Sequence, residues 1–255
     1  MASVGNIQCK DNLEFMNELK DESIDLIYCD ILYGTGRKFS EYQDLKPTKK
    51  VIEDFYLPRI KEMHRLLKSN GSIYLQMDYR IVHWLRCLLD DVFGYDNFVN
   101  EIIWCYTSGS PTFSHWTRKH DNILFYSKSK SFTFNVDAVR ESHRSTEKLK
   151  HKAQPNGTFT LRKNPKGRSP LDWWDIPLLT NTAKERNGYP TQKPKEIVSK
   201  IISASSNEND VVADFFLGSG TTAVVCKELN RQFIGCDISK AGIELTKKRL
   251  NATLF

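Results

Sequence analysis

The run VVADFFLGSGTT, at residues 211–222, decides the fold of this chain. Its apolar, β-branched start predicts a buried strand that ends at Asp214, and its glycines predict a tight turn into a helix. The segment IDLIYCDILY, at residues 24–33, follows the same plan and ends its strand at Asp30. Open α/β sheets present ligand-binding groups at the carboxyl ends of their strands. The sequence therefore predicts an α/β fold with a candidate site after each of these strands.

Strand-like and helical periodicities alternate along most of the remaining sequence. The pattern predicts further strands at residues 72–77, 98–106, 122–126 and 232–237. It predicts helices at residues 11–20, 51–67, 80–93, 194–205, 221–229 and 240–250. A chain of 255 residues can bury a sizeable core, and we expect one main domain.

The six cysteines are scattered, form no Cys-x-x-Cys pair and lie mostly in apolar segments. This predicts reduced, buried thiols and an intracellular protein. The sequence does not open with a secretory signal, and no apolar run reaches the roughly 18 residues of a membrane-spanning helix, so we expect a cytoplasmic location. The histidines lack the spacing of a metal site, and we expect no bound metal.

The positive charge of the chain is concentrated in one segment. The formal net charge is +6, and residues 138–170 contain nine Lys or Arg and only two Glu. Two interpretations stay open: a surface for nucleic-acid phosphates, or a solvated loop. Under the first, the predicted DNA contacts are this segment together with two residues from the loop after Asp30, namely Arg37, Lys38, Arg140, Arg144, Lys148, Lys150, Lys152, Arg162, Lys163, Lys166 and Arg168.

The glycine-rich turn suits a small polar ligand. Gly218 and Gly220 let the backbone approach a ligand closely, and Ser219 or Thr221 can cap the following helix. The next predicted strand ends at Asp237, whose carboxylate can accept hydrogen bonds from both hydroxyls of an adenosyl ribose. The alternative is that this carboxylate only caps the next helix. The glycine spacing does not match a dinucleotide fingerprint.

The chain resembles the β-class bacterial amino-methyltransferases of DNA, which methylate adenine N6 or cytosine N4. The resemblance spans nearly the whole sequence and depends on five segments. They are the cofactor loop Asp-x-Phe-x-Gly-Ser-Gly-Thr-Thr at residues 214–222, YPTQKP at 189–194, FIGCD at 233–237, DWWDIP at 172–177 and HDNIL at 120–124.

This resemblance implies a fold, a cofactor and a set of binding residues. The fold is the Rossmann-like, S-adenosylmethionine-dependent methyltransferase fold: a mostly parallel, twisted sheet with a terminal antiparallel strand and a circularly permuted order of motifs. The implied cofactor is S-adenosylmethionine. The residues assigned to it are Asp11, Asn12, Asp30, Lys193, Pro194, Asp214, Phe216, Gly218, Ser219, Gly220, Thr221 and Asp237.

The catalytic motif departs from the family pattern. Family members carry two prolines between the first polar residue and the aromatic residue, whereas this chain reads Asp30-Ile31-Leu32-Tyr33. The exocyclic amine of a base is a poor nucleophile, so two acceptors must draw on its hydrogens. We assign these to the Asp30 carboxylate and the Ile31 carbonyl oxygen, with Tyr33 stacking on an extruded base. Without the prolines, this tip keeps two more N–H groups and a less restricted backbone.

The leading hypothesis is a site-specific methyltransferase that modifies adenine N6 in duplex DNA by base flipping, because an initial Asp is usual for adenine in this family. Cytosine N4 methylation, a catalytically impaired DNA-binding subunit and methylation of structured RNA remain as alternatives. Aromatic residues of the loops are candidate wedges for the vacated base stack: Phe39, Tyr42, Phe113 and Trp116.

The same resemblance implies three parts in one domain. Residues 1–128 are the catalytic half, residues 129–188 a target-recognition insertion, and residues 189–255 the cofactor-binding half. The expected partners are duplex DNA, a cognate restriction endonuclease of the same system and a second copy of the chain.

Overall fold

The computed structural model describes residues 5–39, 42–107, 111–143, 153–154, 157–158 and 164–252. These residues form an α/β fold with a mixed sheet of eight strands and a separate ribbon of two strands. None of the described helices is long and apolar enough to cross a membrane.

The described residues contain ten strands: β1 (Ile7–Cys9), β2 (Ile24–Asp30), β3 (Leu67–Met77), β4 (Phe98–Cys105), β5 (His120–Ser127), β6 (Ala153–Gln154), β7 (Gly157–Thr158), β8 (Trp173–Asp175), β9 (Val211–Asp214) and β10 (Gln232–Asp237). Strands β6 and β7 pair with each other in the ribbon, and the other eight form the main sheet. The predicted strands are all present, whereas β1, β8 and the ribbon were not predicted.

The same part of the chain contains six α-helices: α1 (Asn12–Asn17), α2 (Lys49–Leu66), α3 (Val82–Phe93), α4 (Lys195–Ser205), α5 (Thr221–Glu228) and α6 (Lys240–Ala252). Each coincides with a predicted helix, although α1 is shorter than predicted. Asp11 caps α1, because its Oδ1 accepts a hydrogen bond of 2.9 Å from the Leu13 amide.

The sheet order is β1-β10-β9-β2-β3-β5-β4-β8. In the main sheet, every strand pair is parallel except the two pairs that involve β5, so β5 runs against the other seven strands of that sheet. The prediction of a terminal antiparallel strand is wrong in its position, because β5 lies inside the sheet. The chain turns back after β4 and inserts β5 between β3 and β4, and β8 then adds parallel to the outer side of β4.

Helices cover both faces of the sheet. Along β2, the side chains of Ile27 and Cys29 enter one core cluster together with residues of α1, α2 and α3. Leu26 and Tyr28 point to the opposite face, into a second cluster with residues of α4, α5 and α6. This alternation follows from the pleat of a strand that is buried on both sides, and it makes a three-layer α/β/α structure.

The cysteine prediction is correct for three of the six side chains. All six are free thiols, and Cys29, Cys226 and Cys236 are buried. Cys9 and Cys87 are exposed, because the first lies on an edge strand and the second on the outer face of α3. The interpretation of every cysteine as an apolar core residue is therefore wrong for these two.

Candidate active site

Three carboxylates lie side by side at one edge of the sheet. Asp30, Asp214 and Asp237 are the last residues of β2, β9 and β10. These strands are parallel neighbours in the order β10-β9-β2, so their carboxyl ends meet at the same edge. All three residues line one cavity of about 280 Å³. The two strand tips that the sequence singled out therefore face the same cavity.

The cavity has mixed walls. Its apolar part includes Ile31, Phe55, Phe215, Phe216 and Leu217. Its polar part includes most of the residues that the sequence assigned to the cofactor: Asp11, Asn12, Asp30, Lys193, Asp214, Gly218, Ser219, Thr221 and Asp237. Gly220 and Pro194 lie outside this lining, since the first precedes α5 and the second precedes α4.

The glycine-rich loop between β9 and α5 is held by its own backbone. Gly218 and Gly220 have φ angles of 50° and 76°, which side chains with a Cβ rarely adopt. A Cβ on Gly220 would also lie only 2.3 Å from Thr246 Oγ1. The prediction that Ser219 or Thr221 caps α5 is wrong, because Gly220 occupies the N-cap position and offers no side chain.

The loop is closed by two of the three strand-end carboxylates. Asp214 is buried; it accepts hydrogen bonds from Thr222 Oγ1 at 2.6 Å and from the Phe216 amide at 3.0 Å. Burial raises the pKa of Asp214 to about 7, although these two donors oppose the shift. Asp237 accepts from the Gly218 amide at 2.7 Å and from the Ser239 amide at 2.8 Å.

Asp11 and Asn12 reach the cavity from the start of α1, and an arginine fixes them there. Arg59 on α2 donates to Asn12 Oδ1 at 2.6 Å and to Asp11 Oδ2 at 3.0 Å. Asn12 Nδ2 in turn donates to the carbonyl oxygen of Phe215 at 3.1 Å. Sequence analysis missed Arg59, because α2 shows only the ordinary periodicity of an amphipathic helix.

The tip of β2 carries a network of charged and hydroxyl groups. The Tyr33 hydroxyl lies 2.9 Å from Asp30 Oδ1 and 2.6 Å from Asp121 Oδ2, and its single hydrogen can serve only one of them at a time. Lys193 Nζ donates to the Tyr33 hydroxyl oxygen at 2.8 Å. The same ammonium group lies 3.2 Å from Asp30 Oδ1 and 3.5 Å from Asp121 Oδ2.

These neighbours determine the protonation of Asp30. Burial raises the pKa of Asp30 to about 6; the charge of Lys193 opposes this shift, and the charge of Asp121 adds to it. Burial would lower the pKa of Lys193, but the two carboxylates outweigh it and raise that pKa. Lys193 therefore stays protonated, and Asp30 is mostly ionised at neutral pH.

Asp121 is the buried anchor of this network, and sequence analysis gave it no role. Because β5 runs antiparallel, its start lies at the same edge as the end of β2, beside Asp30. Asp121 Oδ1 accepts from the Tyr106 hydroxyl at 3.1 Å, and its Oδ2 accepts from Gln76 Nε2 at 3.2 Å. The only signal was its place in the segment HDNIL, which matches the family pattern without revealing a contact.

Comparisons with known proteins identify the family of this chain. Residues 24–248 match the model of the N6_N4_Mtase family, described as DNA methylase. The type II methyltransferase M.HpaI of Haemophilus parainfluenzae is 34% identical over 96% of this chain and 73% of its own. This chain belongs to the N6_N4_Mtase family of DNA methylases. The family predicted from the motifs, and with it the S-adenosylmethionine dependence, is therefore confirmed.

Two more proteins that are similar to this DNA methylase are named for different target bases. The DNA adenine methyltransferase YhdJ of Escherichia coli (strain K12) is 30% identical over 94% of this chain and 81% of its own. The solved structure of the cytosine-N4-specific PvuII DNA methyltransferase is 19% identical, with a TM-score of 0.72 over 98% of this chain and 87% of its own. Two further structures of the same fold contain S-adenosylmethionine. The α/β methyltransferase fold is confirmed by these likenesses.

The cavity of this DNA methylase has the donor and acceptor chemistry that S-adenosylmethionine requires. Each carboxylate oxygen of Asp237 accepts one backbone hydrogen bond and keeps further lone pairs for ribose hydroxyls. Asp11 and Asp30 supply negative charge for a cationic ligand, and Phe216 and Leu217 supply apolar wall for an adenine ring. The residues present fit the cofactor.

The catalytic tip of this DNA methylase is held without prolines. The Ile31 amide donates to the Gln76 carbonyl oxygen at 3.1 Å, a bond that a proline at this position would lack. The Tyr56 hydroxyl donates to the Leu32 carbonyl oxygen at 2.8 Å. Among the described residues, none donates to the carbonyl oxygen of Ile31, which is therefore left as an acceptor. The backbone freedom gained by losing the prolines is limited by these two bonds.

The described part of the basic segment is largely neutralised by its own carboxylates. Arg140 pairs with Asp137 at 2.6 Å, and Lys166 pairs with the same carboxylate. Arg168 pairs with Glu141, which also binds Lys200 at 2.9 Å. The other predicted DNA contacts of this segment lie outside the described residues: Arg144, Lys148, Lys150, Lys152, Arg162 and Lys163.

Proposed function

We propose that this DNA methylase transfers a methyl group from S-adenosylmethionine to N6 of adenine in duplex DNA, after the base has been extruded from the helix. The observation that carries the proposal is the shared cavity. Asp30 and Ile31 line the same 280 Å³ space as the glycine-rich loop and Asp237. A base amine and a methyl donor bound to these two sets of groups would meet without any further movement of the sheet.

The catalytic residues act on the amine. The lone pair of an adenine amino group is delocalised into the ring, so the group attacks poorly unless its geometry shifts towards a tetrahedral nitrogen. Asp30 Oδ and the free Ile31 carbonyl oxygen accept its two hydrogens and favour that geometry. The nitrogen carries a surplus proton after the transfer, and the Asp30 carboxylate is the base that takes it.

Tyr33 is proposed to stack on the extruded base, and Lys193 to balance the negative charge of the carboxylates. Tyr33 lines the cavity, and its hydroxyl is fixed by Lys193 and Asp121. This fixation leaves the ring as a rigid surface on which an extruded base can stack. The Lys193 ammonium group lies against the carboxylates of Asp30 and Asp121. Its positive charge offsets the cost of burying two negative charges side by side, so the two acids are not both forced to become protonated.

The cofactor residues act by positioning. S-adenosylmethionine supplies an activated methyl group, so the protein needs chiefly to align donor and acceptor. Asp237 would hold the ribose hydroxyls, the backbone at Gly218 would pass close to the ligand, and Asp11 would hold a positively charged group. Asp214 would act indirectly, because its carboxylate is used by Thr222 and Phe216 to shape the loop.

Adenine is favoured over cytosine by the acid at position 30 and by one relative. The catalytic motif begins with Asp, which is usual for adenine in the resembling family, and the relative YhdJ is named as an adenine methyltransferase. The second candidate is cytosine N4 methylation, favoured by the likeness to the PvuII enzyme, which extends to the fold alone. A catalytically impaired subunit is disfavoured, since the tip keeps both acceptors.

The proposal extends to organisation and partners. Residues 1–128 and 189–255 would form the two halves of one catalytic domain, with residues 129–188 reading the target sequence. The protein would act on DNA in the bacterial cytoplasm, alongside a cognate restriction endonuclease, and as a homodimer. Sedimentation of the purified chain and a genomic search for a neighbouring endonuclease gene test the last two points.

The test of function is incorporation of tritiated methyl groups into duplex DNA. We expect wild type to label the DNA and Asp30→Ala to leave it unlabelled, because one of two amine acceptors is gone. Asp54→Ala is the matched control, since Asp54 is exposed on α2 and pairs only with Lys50 on the surface. Equal labelling by wild type and Asp30→Ala would refute the assigned mechanism.

Chromatography of the digested product then identifies the base. We expect N6-methyladenine; N4-methylcytosine would support the second candidate. Labelling of structured RNA in preference to duplex DNA would overturn the substrate class.

A further inference from the structure

Three arginines from three different loops lie at the same edge of the sheet as the cavity. Arg37 follows the end of β2, and Arg80 follows the end of β3. Arg118 precedes β5, and the antiparallel direction of that strand brings its start to this edge as well. Topology alone therefore gathers three cationic side chains from distant parts of the sequence beside the catalytic tip.

Contacts with one tyrosine show that Arg80 and Arg118 are close neighbours, and Arg37 lies near enough for its charge to act on Arg80. Arg118 donates to the Tyr79 hydroxyl at 3.0 Å and lies 4.4 Å from the centre of its ring. Arg80 lies 4.9 Å from the same ring. Burial, and after it the positive charges of Arg37 and Arg118, lower the pKa of Arg80. The guanidinium groups thus repel each other, as in a site built to receive an anion.

The charge of this cluster is only partly balanced. Arg80 pairs with Asp78, but the described residues place no carboxylate within ion-pair distance of Arg37 or Arg118. Both of these arginines are exposed. The described arginines of the basic segment at 138–170 differ in this respect, because Asp137 and Glu141 already neutralise them.

Two aromatic side chains stand out from the loop that carries Arg118. Phe113 is 99% exposed and Trp116 is 95% exposed, although burying side chains of this size would stabilise the fold. The loop that carries them has internal order, since Thr112 Oγ1 donates to the His115 carbonyl oxygen at 2.7 Å. Large aromatics held in water beside arginines are typical of surfaces that stack on nucleic-acid bases.

A short chain of contacts joins the cluster to the catalytic carboxylate. Burial raises the pKa of Tyr106, and the positive charge of Arg80 acts in the opposite direction. The Tyr106 hydroxyl donates to Asp121, and Asp121 shares the Tyr33 hydroxyl with Asp30. Arg80 thus lies one residue beyond the network that surrounds the cavity, with Arg118 at the same Tyr79 ring. The backbone of a nucleotide that enters the cavity would pass here.

We propose that Arg37, Arg80 and Arg118 form a clamp for the DNA phosphates that flank the extruded nucleotide, and that Phe113 and Trp116 contact the bases left behind. The inference rests on the proposed function, since it assumes a duplex DNA substrate. It deepens that proposal by locating backbone contacts at the mouth of the cavity, outside the basic segment that the charge distribution of the sequence suggested.

The experiment measures binding of a fluorescent DNA duplex by anisotropy over a range of salt concentrations. The main variant is Arg37→Gln with Arg118→Gln, because both side chains are exposed and have no ion-pair partner among the described residues. Each lost phosphate contact lowers the salt slope by roughly 0.9 and affinity at about 0.1 M salt by roughly eightfold. We therefore expect a slope lower by about 1.8 and an affinity lower by roughly 60-fold.

The matched control removes two positive charges elsewhere. Lys61→Gln with Lys247→Gln changes exposed residues on the outer surfaces of α2 and α6, and we expect it to keep the wild-type slope. Affinity for S-adenosylmethionine, measured on every variant, reports an intact fold. Phe113→Ala with Trp116→Ala should weaken binding while keeping the salt slope, because stacking releases no counterions.

The outcomes separate the clamp from the proposed function. An unchanged slope and affinity in the arginine variant, with wild type still methylating DNA, would overturn the clamp alone. A reduced slope in that variant, with a wild type that binds but does not methylate DNA, would support the clamp and refute the function. Displacement of the duplex by structured RNA at lower concentration than by DNA would overturn the choice of partner.

Discussion

The two halves of the cavity are held together in different ways. In the cofactor half, Asp214 and Asp237 accept hydrogen bonds from backbone amides and a hydroxyl that lie within about 20 residues of them in sequence. In the catalytic half, Asp30 depends on Tyr33, Asp121 and Lys193, which come from three separate segments. The first half is built by local backbone geometry and the second by side chains that meet only in the folded chain.

This difference explains which motif can vary. A loop that depends on its own glycines tolerates little change, and residues 214–222 keep the complete family pattern. A tip that is braced by distant side chains can lose both prolines, because Gln76 and Tyr56 take over part of the restraint. Sequence variation is thus tolerated in a segment whose conformation is stabilised by residues from other segments.

The largest expected effect comes from comparing one variant in the cofactor half of the cavity with one variant in the catalytic half. Asp237→Ala removes the carboxylate that accepts from the Gly218 and Ser239 amides, together with the proposed ribose contacts, so we expect S-adenosylmethionine to bind on the order of 100-fold more weakly. Asp30→Ala should abolish transfer and weaken this affinity much less than Asp237→Ala does, because Asp11 still supplies negative charge for the cofactor. Calorimetric titration and single-turnover transfer check both, with Glu244→Ala on the exposed face of α6 as the control. Equal loss of cofactor affinity in both variants would contradict the proposed division of the cavity into a cofactor half and a catalytic half.

The pH dependence of transfer tests the catalytic half alone. Asp30 accepts the amine hydrogen only as a carboxylate, and its pKa is raised to about 6. We expect the single-turnover rate to be constant at neutral pH and to fall about tenfold per pH unit well below pH 6. S-adenosylmethionine affinity at the same pH values is the control. A rate that stays flat down to about pH 5 would contradict this role of Asp30.

Asp121 offers a finer test, because it acts on Asp30 through its charge and through Tyr33 and Lys193, which both contact the two carboxylates. Asp121→Asn keeps the shape and removes the charge that raises the pKa of Asp30. We expect transfer at neutral pH to fall roughly tenfold through looser placement of Tyr33, and the acid limb to move below pH 6. Asp54→Asn should change neither. A lower rate with an unmoved acid limb would show that Asp121 has only a structural role.

The smallest expected effect concerns the missing prolines. Ile31→Pro removes the amide that donates to Gln76 and leaves a buried carbonyl oxygen without this partner, which costs about 1–3 kcal/mol. Leu32→Pro is the matched control, since the Leu32 amide makes no hydrogen bond with the described residues. Urea unfolding should show a lower free energy of unfolding for Ile31→Pro than for Leu32→Pro. Equal values would mean that the bond to Gln76 contributes nothing to stability.

The sequence predicted the elements whose patterns are long and locally marked. Helices α2 to α6 and strand β10 lie within a few residues of their predicted bounds, because their apolar periodicity and flanking glycines or proline are written in adjacent residues. Strands β1 and β8 were missed, since each has three residues and too few side chains to show alternation. Only pairing with β10 and β4 makes them strands.

The residues of the candidate site also divide into those that the sequence predicted and those that it did not. The cofactor loop and the strand-end acids were found from sequence, because their chemistry follows from residues that are neighbours in the chain. Arg59, Gln76 and Asp121 were not found as site residues, because each matters through a partner 45 or more residues away. Antiparallel β5 was expected at the end of the sheet, yet its place between β3 and β4 is what brings Asp121 to Asp30.

Lys193 gives the enzyme a means of cooperativity. It belongs to the segment that precedes α4, in the cofactor half, yet its ammonium group touches Asp30 and the Tyr33 hydroxyl. A cofactor that shifts this ammonium group changes the electrostatic potential at Asp30 and Tyr33, the groups proposed to bind the base. A base bound there would in turn act on the cofactor through the same ammonium group. Such coupling is reciprocal by thermodynamic necessity. Occupancy of either half by its ligand would thus change the affinity of the other by an identical factor.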